Sequence, residues 1–298
     1  MQSNRLMESS NNIFQLNNES PLEDSTRIGD TLIAHTKLDE QDIERILTLQ
    51  KEKNILFGEA AKQLGLITDN DLKKVLSQQF NYPYIHEGSQ QVSKELIAAH
   101  TPFSEEVENL RSLRSQLLIR WFDQGNKTLA VTSARSDDGA SQLVANLAIV
   151  FSQLNKKTLL IDANLRQAVQ HQLFKVETKL GLANILANRQ GSYELTRQQS
   201  LPNLSILTAG TEVPNPQELL SQTGFSELLT DLEKVYDIIL IDTSPISLGS
   251  DVLTVVSKAK AAIIVARKDY TLATEIQQLN KQLNMTGANI IGSIFQEF

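Results

Sequence analysis

The 298-residue chain has no cysteine, four histidines, one tryptophan and three methionines. The lack of cysteine excludes disulfides, thiolate nucleophiles and thiolate-bound metal, and it fits a reducing cytoplasm. The histidines at 35, 86, 100 and 171 form no short-range pair of the kind a zinc site uses, and read as scattered surface side chains. The N-terminus is rich in Asn and Ser and has no apolar core of a signal segment. No later apolar run approaches the roughly 18 residues that a membrane span needs. Membrane association is therefore expected only through a partner. Cationic side chains are also few: 28 Lys and Arg stand against 35 Asp and Glu, a net charge of -7, without basic stripes. Neither nucleic acid nor anionic lipid is an expected partner on that balance.

What is present is enough apolar material, 41% of residues, for a soluble globular protein of two domains. Residues 1–25 are polar and aperiodic, with Asn4, Asn11, Asn12, Asn17 and Asn18 among them. They cannot bury enough surface to offset the entropy of ordering, so a disordered tail is expected. Residues 26–86 read as a small helical domain built from an internal repeat. Gly29 aligns with Gly58, Leu38 with Ile67, Ile43 with Leu72 and Gln50 with Gln79. Asp39 and Thr68 stand where a side-chain acceptor satisfies the free N–H groups of a helix start. A linker is expected over 87–103.

From residue 104 to 298 a helix (104–122) leads into alternating strands and helices. The segments 128–134, 158–163, 204–209, 237–242, 261–267 and 288–295 are apolar on both faces, as strands of a parallel sheet covered on both sides are. The helix after the first strand carries Leu143, Leu147, Val150, Phe151 and Leu154 on one stripe. The expected fold is α/β, a doubly wound parallel sheet of the P-loop type.

The loop after the first strand reads Ser133-Ala134-Arg135-Ser136-Asp137-Asp138-Gly139-Ala140-Ser141-Gln142. A P-loop in this position wraps backbone amides around phosphates, adds a Lys for the terminal phosphate oxygens and sets a Ser/Thr hydroxyl on Mg²⁺. Asp162 in LLIDANLR and Asp242 in IILIDTSP end two further strands, where metal ligands or a catalytic carboxylate stand.

With these motifs the region from Phe103 to Phe298 resembles the bacterial tyrosine kinases (BY-kinases) of capsule and exopolysaccharide systems, in particular the EpsG-type chain-length determinant kinases. LLIDANLR is similar to their second Walker motif and ILIDTSP to Walker B. The run Pro214–Leu220, the closing segment from Gly292 and a Glu108-Arg111-Arg114 helix of the ExxRxxR pattern add to the likeness. The resemblance implies Mg-ATP as cofactor, held by Arg135, Gly139, Ala140, Ser141, Gln142 and Arg166. It implies Ser141, Asp162 and Asp242 as Mg²⁺ ligands, with Asp162 and Asp242 as the catalytic carboxylates of an active enzyme. It further implies subunit contacts through Glu108, Arg111 and Arg114 in a homo-oligomer. The implied partner is a membrane-embedded polysaccharide co-polymerase, which would place the chain at the cytoplasmic face of the inner membrane.

The departures from the family pattern shape the expected function. The Lys position is Ala140, a usual Gly position is Asp137, and Asn164 replaces a second Asp. Loss of a charge-assisted contact removes roughly 1.5 to 3 kcal/mol, and a carboxylate about 4 Å from a phosphate adds up to about 4 kcal/mol of repulsion at an effective dielectric of about 20. Starting near -8 kcal/mol for a micromolar ligand, binding falls to about millimolar. A C-terminal tyrosine cluster is missing, the last tyrosine being Tyr270. The expectation is a BY-kinase-like subunit regulating polysaccharide polymerisation, chain length or export with impaired or lost kinase activity. The alternative is an active kinase in which Arg135, Ser141, Asp162 and Asp242 assemble a site. The N-terminal repeats resemble the MshEN module of type II secretion and pilus ATPases, on Arg27, Gly29, Leu32 and Gln50 and on Gly58, Leu64, Gly65 and Gln79. That likeness implies a cyclic di-GMP-responsive adaptor as a further reading, with Arg27, Gly29 and Gly58 as contacts. Leu56 and Thr36 depart from the binding pattern.

Overall fold

The computed structural model describes residues 38–68, 71–72, 91–177, 180–187, 195–197 and 200–297. The chain divides between residues 81 and 82 into two compact units. The tail read over 1–25 and the contacts read at Arg27 and Gly29 lie outside the described residues, as does the second half of the repeat after Leu72.

In the first unit, α1 (Glu40–Lys53) starts where Asp39 Oδ1 accepts the Asp42 amide at 2.8 Å. Acids lie in its first turn and lysines in its last, matching the helix dipole. The helix ends at Asn54, which takes the left-handed conformation at φ 49°. α2 (Phe57–Gln63) packs on it around buried Ile46, Ala60, Ala61 and Ile67. Thr68 and Asp71 cap reciprocally, since Asp71 Oδ2 accepts the Thr68 amide at 2.9 Å and Thr68 Oγ1 accepts the Asp71 amide at 3.2 Å. Gly58 has a packing reason: a Cβ there would meet Leu72 Cδ1 at 2.6 Å.

The second unit is a seven-stranded sheet of order β3-β4-β2-β5-β1-β6-β7. Its strands are β1 (Thr128–Ser133), β2 (Thr158–Asp162), β3 (Thr196–Arg197), β4 (Leu204–Leu207), β5 (Ile238–Asp242), β6 (Ala261–Arg267) and β7 (Asn289–Gln296). All neighbours run parallel except the short β3, antiparallel to β4. Successive residues of the central strands face opposite layers. Leu129, Val131, Leu160, Leu240 and Ile263 join one core, and Ala130, Ile161, Ile241 and Ile264 join the other. The first layer holds α3 (Ile97–His100), α4 (Glu105–Arg120), α5 (Ala140–Ser152) and α6 (Gln170–Leu173); the second holds α7 (Leu182–Leu186), α8 (Pro216–Ser221), α9 (Thr223–Val235), α10 (Asp251–Ala259) and α11 (Ala273–Asn284). This is the expected doubly wound parallel α/β sheet.

Three local expectations need correction. The stretch read as a linker to residue 103 is packed from Val92 onward. Val92, Leu96, Ala98 and Ala99 are buried, and Asn146 of α5 accepts the Ala98 amide at 2.9 Å. α5 is buried nearly all round instead of along one stripe, while Leu154 lies beyond its end and is exposed. β7 is not buried on both faces: among the described residues it is the sheet edge, with β6 as its one neighbour, and Phe295 is 64% exposed. A register shift at Ala262/Ile263 leaves Ile291 as an extra residue, so Ile290 packs on one core and Ile291 on the other.

Candidate phosphate-loop site

β1 and β5 lie side by side at the centre of the sheet, and the connections that follow them leave in opposite directions, to β2 and to β6. Their carboxyl ends therefore open a crevice, the place where doubly wound sheets bind ligands. The loop after β1 makes a 3₁₀ turn over Ser136–Asp138 and reaches α5 through Gly139, at φ 79° and ψ 16°. Glycine reaches that left-handed conformation at no steric cost, and the next residue, Ala140, opens the helix. The buried sides of α5 pin its N-terminus against the crevice.

The two candidate aspartates are brought together. Asp162 and Asp242 pair in register at the ends of β2 and β5, both with no exposed surface. Asp242 accepts Ser141 Oγ at 3.0 Å and Gln170 Nε2 at 2.7 Å. Asp162 accepts the amides of Gln170 at 3.1 Å and Asn164 at 3.2 Å. Burial pushes the Asp242 carboxyl up to about 6, against the lowering effect of the Gln170 and Ser141 bonds. Burial, and then the charge of Asp242, hold Asp162 well above its usual range.

Gln170 was not legible as a site residue. It lies on α6, eight residues beyond Asp162, and its amide spans Asp242 and the Ser141 carbonyl, the latter at 3.0 Å. Its own Oε1 is buried without a hydrogen-bond partner among the described residues. Nothing in the motif marks it; only the turn between β2 and α6 carries it back over the strand ends.

The arginines read as cofactor contacts are not brought into the crevice. Arg135 turns to α11, where its Nη2 meets Glu275 at 2.8 Å, and its guanidinium lies over the Tyr270 ring. Arg166 pairs in two places with the buried carboxylate of Asp251 on α10, one of them Nη2 to Oδ1 at 3.0 Å. Asp138, fully buried, accepts the Arg135 amide at 2.8 Å and Thr271 Oγ1 at 2.5 Å. The cleft between these elements has a volume of about 440 Å³. Gly139, Ala140, Ser141 and Gln142 line it, with Asn164 and Thr243; among the described residues its one charged lining side chain is Glu95.

Glu108, Arg111 and Arg114 lie on α4 as expected, but both arginines make bonds inside the chain. Arg111 Nη1 meets Glu108 at 2.9 Å and its Nη2 donates to the Pro102 carbonyl. Arg114 Nη1 donates to the Val150 carbonyl of α5 at 2.6 Å. Among the described residues no cluster of His, Cys, Asp and Glu is assembled for a metal, and no helix is long and apolar enough to cross a membrane.

A switch-point crevice, a glycine turn into a buried helix and two aspartates on adjacent strand ends define a P-loop-type domain. Residues 126–291 match the AAA domain family. The chain is 30% identical over 196 residues to the putative tyrosine-protein kinase CapB of Staphylococcus aureus, covering 66% of this chain and 86% of CapB. It is 32% identical over 200 residues to the putative tyrosine-protein kinase EpsB of Ralstonia solanacearum, covering 67% of this chain and only 27% of EpsB. The solved kinase domain of the Escherichia coli tyrosine kinase Etk superposes with a TM-score of 0.66 at 29% identity, over 71% of this chain and 82% of that one. The chain belongs to the bacterial tyrosine-protein kinase family.

Mg-ATP, which that family implies, finds only part of its site in these residues. The metal side is present in kind: Ser141 Oγ, Asp162 and Asp242 converge. The phosphate side does not fit. Ala140 brings no cation, Arg135 and Arg166 are held by carboxylates outside the cleft, and Asp137 and Asp138 lie within the turn. A triphosphate needs positive charge at that position.

Proposed function

We propose that this chain is a kinase-family subunit that regulates the polymerisation, chain length or export of a polysaccharide without robust ATP-dependent tyrosine kinase activity of its own. In this reading it works at the cytoplasmic face of the inner membrane, bound to a membrane-embedded co-polymerase, and contacts copies of itself through the α4 face that carries Glu108. The single observation that carries the reading is the cleft without a cation among the described residues: every lining side chain there is neutral apart from Glu95. A family frame kept around such a cleft supports a docking role over phosphoryl transfer.

One observation favours a second reading, an active kinase: Ser141, Asp162 and Asp242 stay together as a metal-binding set would require. Calorimetric titration of the full chain with Mg-ATP and Mg-ADP separates the two. The docking reading expects no heat up to millimolar nucleotide; binding at micromolar affinity replaces it with the kinase.

A further inference from the structure

The carboxamide of Gln170 is bonded at one end only. Nε2 donates to Asp242 Oδ2 at 2.7 Å and to the Ser141 carbonyl at 3.0 Å, while Oε1 of this fully buried residue has no hydrogen-bond partner among the described residues. The reverse orientation would set Oε1 against those same two acceptors, so the neighbours fix which atom is which. Native chains rarely leave a buried amide oxygen unbonded, and an ion is one cause of such an exception. The surroundings of Gln170 point to that cause. Its backbone N–H donates to Asp162 Oδ2 at 3.1 Å, so this one residue touches both strand-end carboxylates. Their other donors are Ser141 Oγ and the Asn164 amide, and the nearest arginine in sequence, Arg166, is paired with Asp251. Two buried carboxylates, a hydroxyl and an amide carbonyl make up an all-oxygen donor set, the kind that hard divalent cations take.

We propose that Gln170 is a ligand of a divalent-cation site that fills without nucleotide, and that its carboxamide turns over between the cation-free and cation-bound states. Ser141, Asp162 and Asp242 belong to the family motifs; Gln170 lies outside them. In the cation-free state Nε2 brings the positive end of the amide dipole to Asp242. A half-turn about the last side-chain bond exchanges the two ends and brings Oε1 toward Asp242 and the Ser141 carbonyl. That arrangement is repulsive by itself and favourable with a cation among the oxygens, so a cation selects it. The exchange gives up two hydrogen bonds of Nε2, which lowers the affinity and makes Gln170 the residue that tunes it. No phosphate is needed as a ligand, so the site does not depend on the cation-poor side of the cleft, and it stands apart from the docking reading above.

The test is a titration of the full chain with Mn²⁺ in the absence of nucleotide, free Mn²⁺ being read from its electron paramagnetic resonance signal. The expected result is saturable binding of one Mn²⁺ per chain, abolished in Asp242→Asn. Gln170→Leu, which keeps the bulk and removes the oxygen, is expected to bind about tenfold more weakly, and Gln170→Glu, which offers a charged oxygen and has no donor bonds to give up, about tenfold more tightly. Thermal unfolding of each variant is recorded alongside, because a purely structural Gln170 would destabilise both variants and leave the affinity of the folded protein unchanged. Absence of saturable binding by the parent chain overturns the site. Wild-type affinity in Gln170→Leu overturns the role of Gln170, and so does tighter binding, since Gln170 would then be a barrier to the cation instead of its ligand. Where Gln170→Leu does not fold, Gln170→Glu decides, and an affinity equal to that of the parent overturns the proposal. None of these outcomes bears on the docking reading, which the Mg-ATP titration decides separately.

Discussion

Asp162 and Asp242 stand opposite one another at the ends of β2 and β5, in register, and neither carboxylate has any exposed surface. Adjacent strands lie about 4.8 Å apart, so two negative charges at this spacing, away from water, are costly unless one is neutralised.

The first prediction is therefore one of pH. The Asp242 carboxyl, raised to about 6 in the folded chain, loses its proton near 3.8 once unfolded. Between those values the folded state binds more protons than the unfolded one at Asp242, so stability falls as pH rises from about 4 to about 6, and the raised carboxyl of Asp162 adds a fall in the same direction. At 1.36 kcal/mol per unit the loss from Asp242 is roughly 3 kcal/mol. Asp242→Asn, whose amide donates to Ser141 Oγ while its carbonyl accepts Gln170, is expected to flatten this slope and to raise stability at pH 7. Thermal unfolding of the two proteins from pH 4 to 8 checks it; parallel profiles would refute it.

Gln170 is expected to matter to both stability and titration. Gln170→Ala removes its side-chain bonds to Asp242 and the Ser141 carbonyl at a cost of about 1 to 3 kcal/mol. Because the lost bond to Asp242 lowers that pKa, the midpoint of the pH-dependent transition moves above 6. A midpoint that stays in place would show that burial alone sets the titration.

Restoring the phosphate side is expected to restore nucleotide. Asp137→Gly with Ala140→Lys recovers a charge-assisted contact of roughly 1.5 to 3 kcal/mol and removes a repulsion of up to about 4 kcal/mol. Calorimetry should show Mg-ATP affinity rising from millimolar or weaker to about micromolar, an increase of on the order of 10³-fold. If the double variant binds no better than the parent, the loop charges are not what limits binding.

Arg166 is expected to act through stability and not through ligand. Its partner Asp251 is 1% exposed, so Arg166→Ala leaves a buried carboxylate unpaired, at a cost of about 3 kcal/mol. Denaturant titration reads that loss, and Arg166→Ala with Asp251→Asn is expected to recover part of it. Recovery would be absent if Arg166 served the cleft.

Much of this architecture is legible in single stretches of chain. The apolar runs at β1, β2, β5 and β6 have the length and two-faced burial of interior strands, and the burial of every residue from Thr158 to Asp162 follows from that pattern. Asp39 and Thr68 mark helix starts because their capping bonds are local, spanning three residues. The edge position of β7 and the packing of Val92 to Ala99 were not legible. Strand order and the seating of a connector depend on neighbours remote in sequence, and an Ile-rich run reads alike at an edge and at the centre.

The amino-acid order by itself determined the strand–helix alternation, the turn at Gly139, the absence of a lysine at Ala140 and the two strand-end aspartates. These are properties of residue type and local spacing. Tertiary structure alone decided where the arginines go. Arg135 lies within the phosphate loop and Arg166 follows Asp162 by four residues in sequence, yet Glu275 and Asp251 hold them, 140 and 85 residues away. A flexible side chain settles on the nearest carboxylate in space, and that carboxylate is placed by the packing of α10 and α11 against the sheet.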